Sequence, residues 1–208
     1  MSGGFAAAAR ARLRTEGLLK MTGTAGFIAL FFAAYFATLK HPQFHVAVMA
    51  AGPIDRRIPY QGWTVPVYFT LWFYVSLPPA LLPDRAALFR YGAVAGGLAA
   101  AGLAIFALWP TTVVRQGAGF LKAVDPGGNA FPSLHAAFAT LSWVVLDRML
   151  RGLGAPAGWR AANALWGAAI LYSTLATKQH VFSDVAAGAA FGLVAAQFLS
   201  SSRLNASG

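Results

Sequence analysis

The chain has 208 residues, of which 58% are apolar and only 11% are charged, and its mean hydropathy is +0.58. Soluble domains carry about 25% charged residues, so the composition excludes an ordinary soluble protein and predicts an integral membrane protein. The net charge of +10 does not indicate nucleic-acid binding, because the cationic residues are spread over the segments between apolar stretches.

In chain order, residues 1–20 form a basic, alanine-rich arm, which we expect in the cytoplasm as a topology signal or as a short helix on anionic headgroups. Six apolar segments follow, each near the length of a membrane-spanning helix. They cover residues 21–39, 62–82, 91–109, 134–150, 161–177 and 181–199. Short connections leave no room for a second domain. We therefore predict an all-α bundle of six transmembrane helices, folded as one domain over residues 1–208.

The distribution of Lys and Arg predicts the orientation of this bundle. Counted in alternate loops, ten lie on the side of the termini and six on the other side. By the positive-inside rule, both termini are then cytoplasmic. We expect a bacterial inner (plasma) membrane protein, with the outer ends of the helices facing the periplasm or exterior. Glycine pairs at 92/96 and 188/192 predict close packing of helices within the bundle rather than dimerisation.

One of four histidines, His135, lies in the sequence Phe-Pro-Ser-Leu-His at residues 131–135, where the fourth span begins. Proline is tolerated in the first turn of a helix, so free N–H groups are expected to face outward here. A helix start of this kind binds phosphate, and the Ser133 hydroxyl adds a contact. His135 is then placed to act as an acid or base. The alternative is that His135 is a buried, hydrogen-bonded histidine and Ser133 only starts the helix.

A second histidine, His180, precedes Asp184 by four residues. If the chain is helical from residue 181, both side chains lie on one face, and the carboxylate can accept a hydrogen bond from the imidazole. Such a bond fixes the tautomer and leaves the other ring nitrogen free for nucleophilic attack. The alternative is a structural ion pair at the start of a helix.

Two cations stand at the same predicted membrane face. Arg115 follows the third span and Lys178 closes the fifth. Together they could neutralise phosphoryl oxygens without a metal, whereas each alone could instead extend to the lipid headgroups. Because three separated stretches converge on one face, a common phosphate site is favoured. Asp125 and residues 55–57 are weaker candidates, which we expect to be solvated loop residues or to contact lipid headgroups.

These residues resemble the three-part motif of the type 2 phosphatidic acid phosphatase superfamily, which includes lipid phosphate phosphatases, vanadium haloperoxidases and lipid phosphotransferases. Its central part, Pro-Ser-Gly-His, matches residues 132–135 with leucine in place of glycine. Its last part is Ser-Arg, five residues, His, three residues and Asp. Ser173, His180 and Asp184 fit that spacing, and Thr174 stands where arginine is expected.

The first part of the motif, Lys, six residues and Arg-Pro, is reduced to Arg115 followed by Gln116, and Leu108 occupies the lysine position. These departures resemble the branch of inositol phosphorylceramide and sphingomyelin synthases. That branch has similar Phe-Pro-Ser-Leu-His and Lys-Gln-His-x-x-x-Asp stretches. By this resemblance, Lys178 replaces the charge of the missing arginine.

The resemblance implies a membrane enzyme that acts on a lipid phosphate or a phospholipid headgroup. His180 would attack phosphorus to form a phosphohistidine, Asp184 would orient it, and His135 would protonate the leaving oxygen. The implied phosphate-binding residues are Arg115, Lys178, Ser133 and Ser173. Transfer to water makes a phosphatase, and transfer to a lipid alcohol such as ceramide or diacylglycerol makes a phosphotransferase. Both remain open, and no metal or cofactor is implied.

A non-enzymatic alternative is a transporter, or a haem protein with His135 and His180 as axial ligands. That function needs the two histidines to face one another deep in the bundle, whereas the sequence places them near span ends. Intramembrane proteolysis by Ser133 is disfavoured because the chain has no Gly-x-Ser-x-Gly elbow.

Overall fold

The computed structural model describes residues 2–114 and 129–200. Within them the chain is mostly helical, with one short parallel sheet. The helices are α1 (Ser2–Arg14), α2 (Gly17–Lys40), α3 (Pro53–Arg57), α4 (Val65–Phe69), α5 (Leu71–Tyr74), α6 (Leu77–Leu81), α7 (Arg85–Leu108), α8 (Leu134–Gly152), α9 (Ala157–Ala176) and α10 (Phe182–Gln197). A 3-10 turn covers Gly62–Thr64, and the strands are β1 (Ala47–Met49) and β2 (Thr111–Val113).

Within residues 2–114 and 129–200, two helices, α2 and α7, have the length and composition to cross a membrane. Each has 24 residues, and the mean hydropathy of their most apolar stretches is 1.6 and 1.8. A helix of this length extends about 36 Å, which exceeds the hydrocarbon core of a bilayer. Large apolar side chains also lie on the outer surface, including Leu30 and Phe89, which are 72% and 58% exposed. These features indicate association with a membrane.

The second apolar segment, residues 62–82, is not one continuous helix as the sequence analysis expected. It folds as the 3-10 turn followed by α4, α5 and α6. Pro78 and Pro79 have no N–H to donate to the preceding turn, so α5 cannot continue into α6. At the two interruptions, the hydroxyls of Thr70 and Ser76 donate to the carbonyls of Val67 and Trp72.

The small sheet departs from the all-α prediction. Strands β1 and β2 are parallel, with Ala47 opposite Thr111 and Met49 opposite Val113. Thr111 also supports the chain that leads into α8. Its carbonyl accepts from Ala130 N at 3.0 Å, and its hydroxyl oxygen accepts from Phe131 N at 2.7 Å. The sheet therefore positions the segment that begins α8.

Helix α8 is the central helix and packs closely against α10. The two helices start at the same end and run parallel, joined there by a hydrogen bond of 3.0 Å from Ser133 N to Asp184 O. A Cβ added at Gly188 or Gly192 would collide with the backbone carbonyls of Ser133 and Ala137. The prediction of close internal packing is therefore confirmed for this pair. At Gly92 and Gly96, by contrast, an added Cβ meets nothing within 4 Å.

The other end of the bundle is held by cations on backbone carbonyls. The buried Lys20 ammonium donates to Arg12 O at 2.6 Å, Leu82 O at 2.7 Å and Ala80 O at 3.2 Å. Arg148 donates to Leu199 O at 2.6 Å, near the end of α10. Through Lys20, the basic arm, which is folded as α1, is fixed to α2 and to the end of α6.

Candidate functional site

A cavity of about 570 Å³ lies between α2, α4–α5, α7 and the start of α8. Its walls are mainly aromatic and aliphatic, and nine residues of α2 between Leu19 and Phe36 contribute to them. Both His135 and His180 line this cavity, together with Asn129 and Gln179. The structure therefore brings the two histidines of the sequence analysis, which are 45 positions apart in the chain, to the same cavity.

His135 is held by its place in the first turn of α8 and by two aromatic rings. Ser133 caps this helix, because its hydroxyl oxygen accepts from Ala136 N at 3.2 Å. The imidazole stacks on Tyr68 with a centroid distance of 4.0 Å and an interplanar angle of 15°. It forms a T-shaped contact with Trp72, with a centroid distance of 6.5 Å. The ring also hydrogen-bonds to the backbone of Tyr68. Its Nε2 is buried and has no hydrogen-bond partner among the described residues.

His180 lies in the turn between α9 and α10, two residues before α10 begins. The turn closes because the Thr174 carbonyl accepts from both Gln179 N at 3.2 Å and His180 N at 3.3 Å. Lys178 adopts a left-handed conformation there, with φ of 56°. Residues other than glycine rarely adopt this backbone conformation, so contacts with the surrounding residues must hold the turn. His180 is consequently two residues before the helix, so its pairing with Asp184 does not come from a shared helical face.

Asp184 nevertheless contacts His180. Its Oδ2 lies 3.6 Å from His180 Nδ1, which is longer than a hydrogen bond. The same oxygen accepts from Val181 N at 3.2 Å, so Asp184 also caps the start of α10. The carboxylate is completely buried and the imidazole is 9% exposed. Because Asp184 faces Nδ1, Nε2 is the nitrogen of His180 left for chemistry.

Asp55 is a buried residue of this region that the sequence analysis placed among solvated loop residues. The structure contradicts that placement, since Asp55 is only 7% exposed. Its Oδ1 accepts from Phe182 N, at the start of α10, and its Oδ2 accepts from Gly52 N, both at 2.8 Å. One carboxylate thus joins the starts of α3 and α10. The arrangement of glycine, proline and an aspartate three positions after the glycine is a helix-start signal that could have indicated a capping role.

Lys178 points to α3 rather than to the cavity. Its ammonium donates to Asp55 O at 2.7 Å and to Ile58 O. Two of its three protons are therefore used by backbone carbonyls, and Lys178 is not among the cavity-lining residues. This arrangement explains how a lysine is held in the left-handed conformation at the turn before His180.

Ser133 and Ser173 are both completely buried and both bond to nearby backbone. The Ser133 hydroxyl is the cap of α8, and the Ser173 hydroxyl donates to Ile170 O at 2.7 Å within α9. Arg115, the other cation predicted to bind phosphate, lies outside the described residues. In the part of the chain that is described, no lysine or arginine lines the cavity, and no group of three or more His, Cys, Asp or Glu side chains could hold a metal ion.

The polar end of the cavity thus presents two imidazoles to an otherwise apolar space. One, His180, lies beside a buried carboxylate, and the other, His135, has a ring nitrogen with no hydrogen-bond partner in the described parts of the chain. Such a pair can combine a nucleophile with an acid or base. The apolar walls suit a substrate with a long hydrocarbon part.

Comparison with known proteins gives a family match over nearly the whole chain. The model of the PAP2 superfamily matches residues 22–207. No curated protein and no solved structure matches the chain. The matched range includes both histidines, Asp184 and all but the first turn of the helices that form the cavity. The chain therefore belongs to the PAP2 superfamily, whose members are phosphatases or phosphotransferases and mostly membrane proteins.

Proposed function

We propose that the protein is a lipid phosphatase or phosphotransferase that works through a phosphohistidine on His180. The observation that carries this proposal is that His135 and His180 line one apolar cavity. In the first step, Nε2 of His180 attacks phosphorus, the P–N bond forms and the ester P–O bond breaks. His135 gives its proton to the leaving oxygen. In the second step, His135 takes a proton from water or a lipid alcohol, whose oxygen displaces the histidine from phosphorus.

Asp184 is proposed to orient His180 in both steps. Its distance of 3.6 Å from Nδ1 has to shorten by less than 1 Å to become a hydrogen bond. Catalytic hydrogen bonds are often long before substrate binds. The resulting pair would stabilise the positive charge that His180 gains when it bonds to phosphorus.

Among the predicted phosphate-binding residues, we assign the direct role to Arg115. A guanidinium offers paired donors that match phosphoryl oxygens, and Arg115 follows β2 by two positions in the sequence. Lys178, Ser133 and Ser173 are instead proposed to support the backbone that carries the histidines, because their polar groups bond to nearby main-chain atoms. No metal is assigned a role.

A lipid substrate is supported by the shape of the cavity. The part of α2 that lines it, from Leu19 to Phe36, extends about 25 Å at 1.5 Å per residue. That length suits a lipid chain lying along α2 with its phosphate at the histidines. We further propose six membrane-crossing segments with cytoplasmic termini and a site at the outer face of a bacterial plasma membrane. On motif similarity, we also propose membership of the branch of inositol phosphorylceramide and sphingomyelin synthases.

Histidine variants test the mechanism. In purified, detergent-solubilised protein, phosphate release from a labelled lipid phosphate should fall about 10³-fold or more for His180→Ala, which removes the nucleophile. It should fall about 10²- to 10⁴-fold for His135→Ala, which removes an acid–base group. His45→Ala is the matched control, because His45 is exposed and does not line the cavity. Orthovanadate should inhibit the wild type.

Trapping the intermediate separates this mechanism from direct attack by water. Brief exposure to lipid labelled at phosphorus should leave label on the wild type that is lost in acid and retained in alkali. Adding diacylglycerol or ceramide then shows whether the label leaves as phosphate or as a new phospholipid. Undiminished phosphate release, or equal labelling, in His180→Ala would reject the nucleophile assignment.

A further inference from the structure

Asn129 carries an unpartnered acceptor at the polar end of the cavity. It is 3% exposed, it lines the cavity, and its Oδ1 has no hydrogen-bond partner among the described residues. A buried carbonyl oxygen without a partner is costly, and native structures rarely keep one without a purpose. The proposed mechanism does not use Asn129.

The surrounding hydrogen bonds fix which way the amide faces. Asn129 Nδ2 lies 3.2 Å from both Tyr35 O and Thr38 Oγ1. A backbone carbonyl can only accept, so nitrogen must face Tyr35. The Thr38 hydroxyl donates its proton to the same Tyr35 carbonyl at 2.8 Å, and it therefore accepts from Asn129. Both amide protons are thus used, and Oδ1 is the atom left without a partner.

Only a hydrogen-bond donor can satisfy Oδ1. A fully ionised phosphate has no proton to give, so Asn129 does not address the phosphoryl group. No ammonium-binding carboxylate lines the described cavity beside it, and an amide oxygen alone compensates a buried cation poorly. The group that matches is an uncharged O–H or N–H next to the phosphate-bearing or phosphate-accepting carbon.

We propose that Asn129 is a specificity-determining residue that accepts a hydrogen bond from an uncharged hydroxyl or amide N–H of the bound lipid. This inference rests on the proposed function, because the lipid is the substrate or acceptor of that reaction. It makes the cavity selective for lipids that carry a hydrogen-bond donor next to the phosphate-bearing or phosphate-accepting carbon, over lipids of equal length without that donor. The donor is either a lipid hydroxyl or a lipid amide.

Binding measurements on detergent-solubilised full-length protein test this without turnover. The probes are two pairs of short-chain lipids: ceramide with its N-methyl derivative, and diacylglycerol with its O-methyl ether. Each pair differs in one donor. Wild type should bind the donor-bearing member of at least one pair about 5- to 10-fold more tightly, the usual effect of one neutral hydrogen bond to a buried partner. Asn129→Leu should bind both members equally.

Thr38→Val is the matched control, because it removes one bond to the Asn129 amide but leaves Oδ1 in place. Discrimination should survive in this variant. Selectivity within the ceramide pair identifies an amide donor, and selectivity within the diacylglycerol pair identifies a hydroxyl. If wild type binds both members of each pair equally, or if Asn129→Leu still discriminates, the proposal is overturned, and water is the partner of Oδ1. The wild-type comparison needs no variant to fold, and it is independent of whether His180 carries phosphate.

Discussion

Replacing Gly188 by alanine is the sharpest test of how the fold places the two histidines. A Cβ at this position would overlap the carbonyl oxygen of Ser133. It would also lie 3.0 Å from the Ser133 carbonyl carbon and 3.2 Å from Ala136 Cβ. To reach a relaxed C···O separation of about 3.3 Å, α8 and α10 must part by about 1 Å. Neither obstacle is a flexible side-chain end, so the helices themselves have to move.

The cost follows from two terms. Overpacking of this kind costs about 1–3 kcal/mol. Parting the helices also stretches the bond from Ser133 N to Asp184 O, now 3.0 Å, which adds about 1 kcal/mol. For a chain of this size each kcal/mol lowers Tm by about 2–4 °C, so we expect a fall of about 5–15 °C. Since a displacement of about 1 Å can slow a positioned reaction about 10²-fold, turnover should drop as well.

The assay is thermal unfolding and phosphate release of the same detergent-solubilised samples. Gly97→Ala is the matched control, because a Cβ there meets nothing within 4 Å, and alanine favours a helix by up to about 1 kcal/mol over glycine. It should leave Tm and activity unchanged or slightly raise Tm. If Gly188→Ala behaves like Gly97→Ala, the close contact of α8 and α10 does not set the geometry of the site.

Two further substitutions test the two ends of the bundle independently. Asp55→Asn should destabilise the protein by about 2–3 kcal/mol and slow turnover at least about 10-fold, because asparagine cannot accept from both Phe182 N and Gly52 N. Asp84→Asn, measured by the same unfolding and activity assays, should change little, since asparagine caps a helix as well as aspartate does; equal effects would discount the role of Asp55. Lys20→Met should lower Tm and expose α1 to trypsin, because it removes the hydrogen bonds that anchor α1, while turnover at low temperature stays near wild type. Lys40 is exposed, so Lys40→Met should change neither Tm nor the trypsin sensitivity of α1. A Lys20 variant with normal Tm would contradict the anchoring of α1.

The sequence predicted the helical segments because an apolar stretch of about 20 residues can be recognised from its local composition alone. All six apolar stretches are helical, with shifts such as the start of α2 at Gly17 instead of residue 21. The interruption of residues 62–82 had a readable cause in Pro78 and Pro79. The three-residue strands could not have been predicted, because a strand that short has no detectable alternation.

The sequence indicated the two histidines that line the cavity but not the position of Lys178, whose ammonium bonds to the backbone of α3. His135 and His180 share a cavity as the sequence suggested, and His180 lies beside Asp184, although through a turn before α10 rather than through one helical face. The left-handed Lys178 that causes this turn is not a glycine, so no local signal marks it. The partner of α10 in this region, Asp55, lies 127 positions before Phe182. Contacts over such separations are set by tertiary packing, which local patterns do not encode.

The main-chain hydrogen bond between α8 and α10 holds the part of the molecule that carries the histidines. Other parts can therefore be substituted more freely. The atoms joined by this bond, Ser133 N and Asp184 O, lie within a few residues of both histidines. The proposed reacting groups are therefore spaced by backbone, whereas α2 and α7 contribute mainly the apolar wall of the cavity. Side chains on that wall can be exchanged without altering the distance between the reacting groups. Under the proposed function, new lipid preferences can thus arise by substitution in α2 and α7 while the reaction itself is preserved.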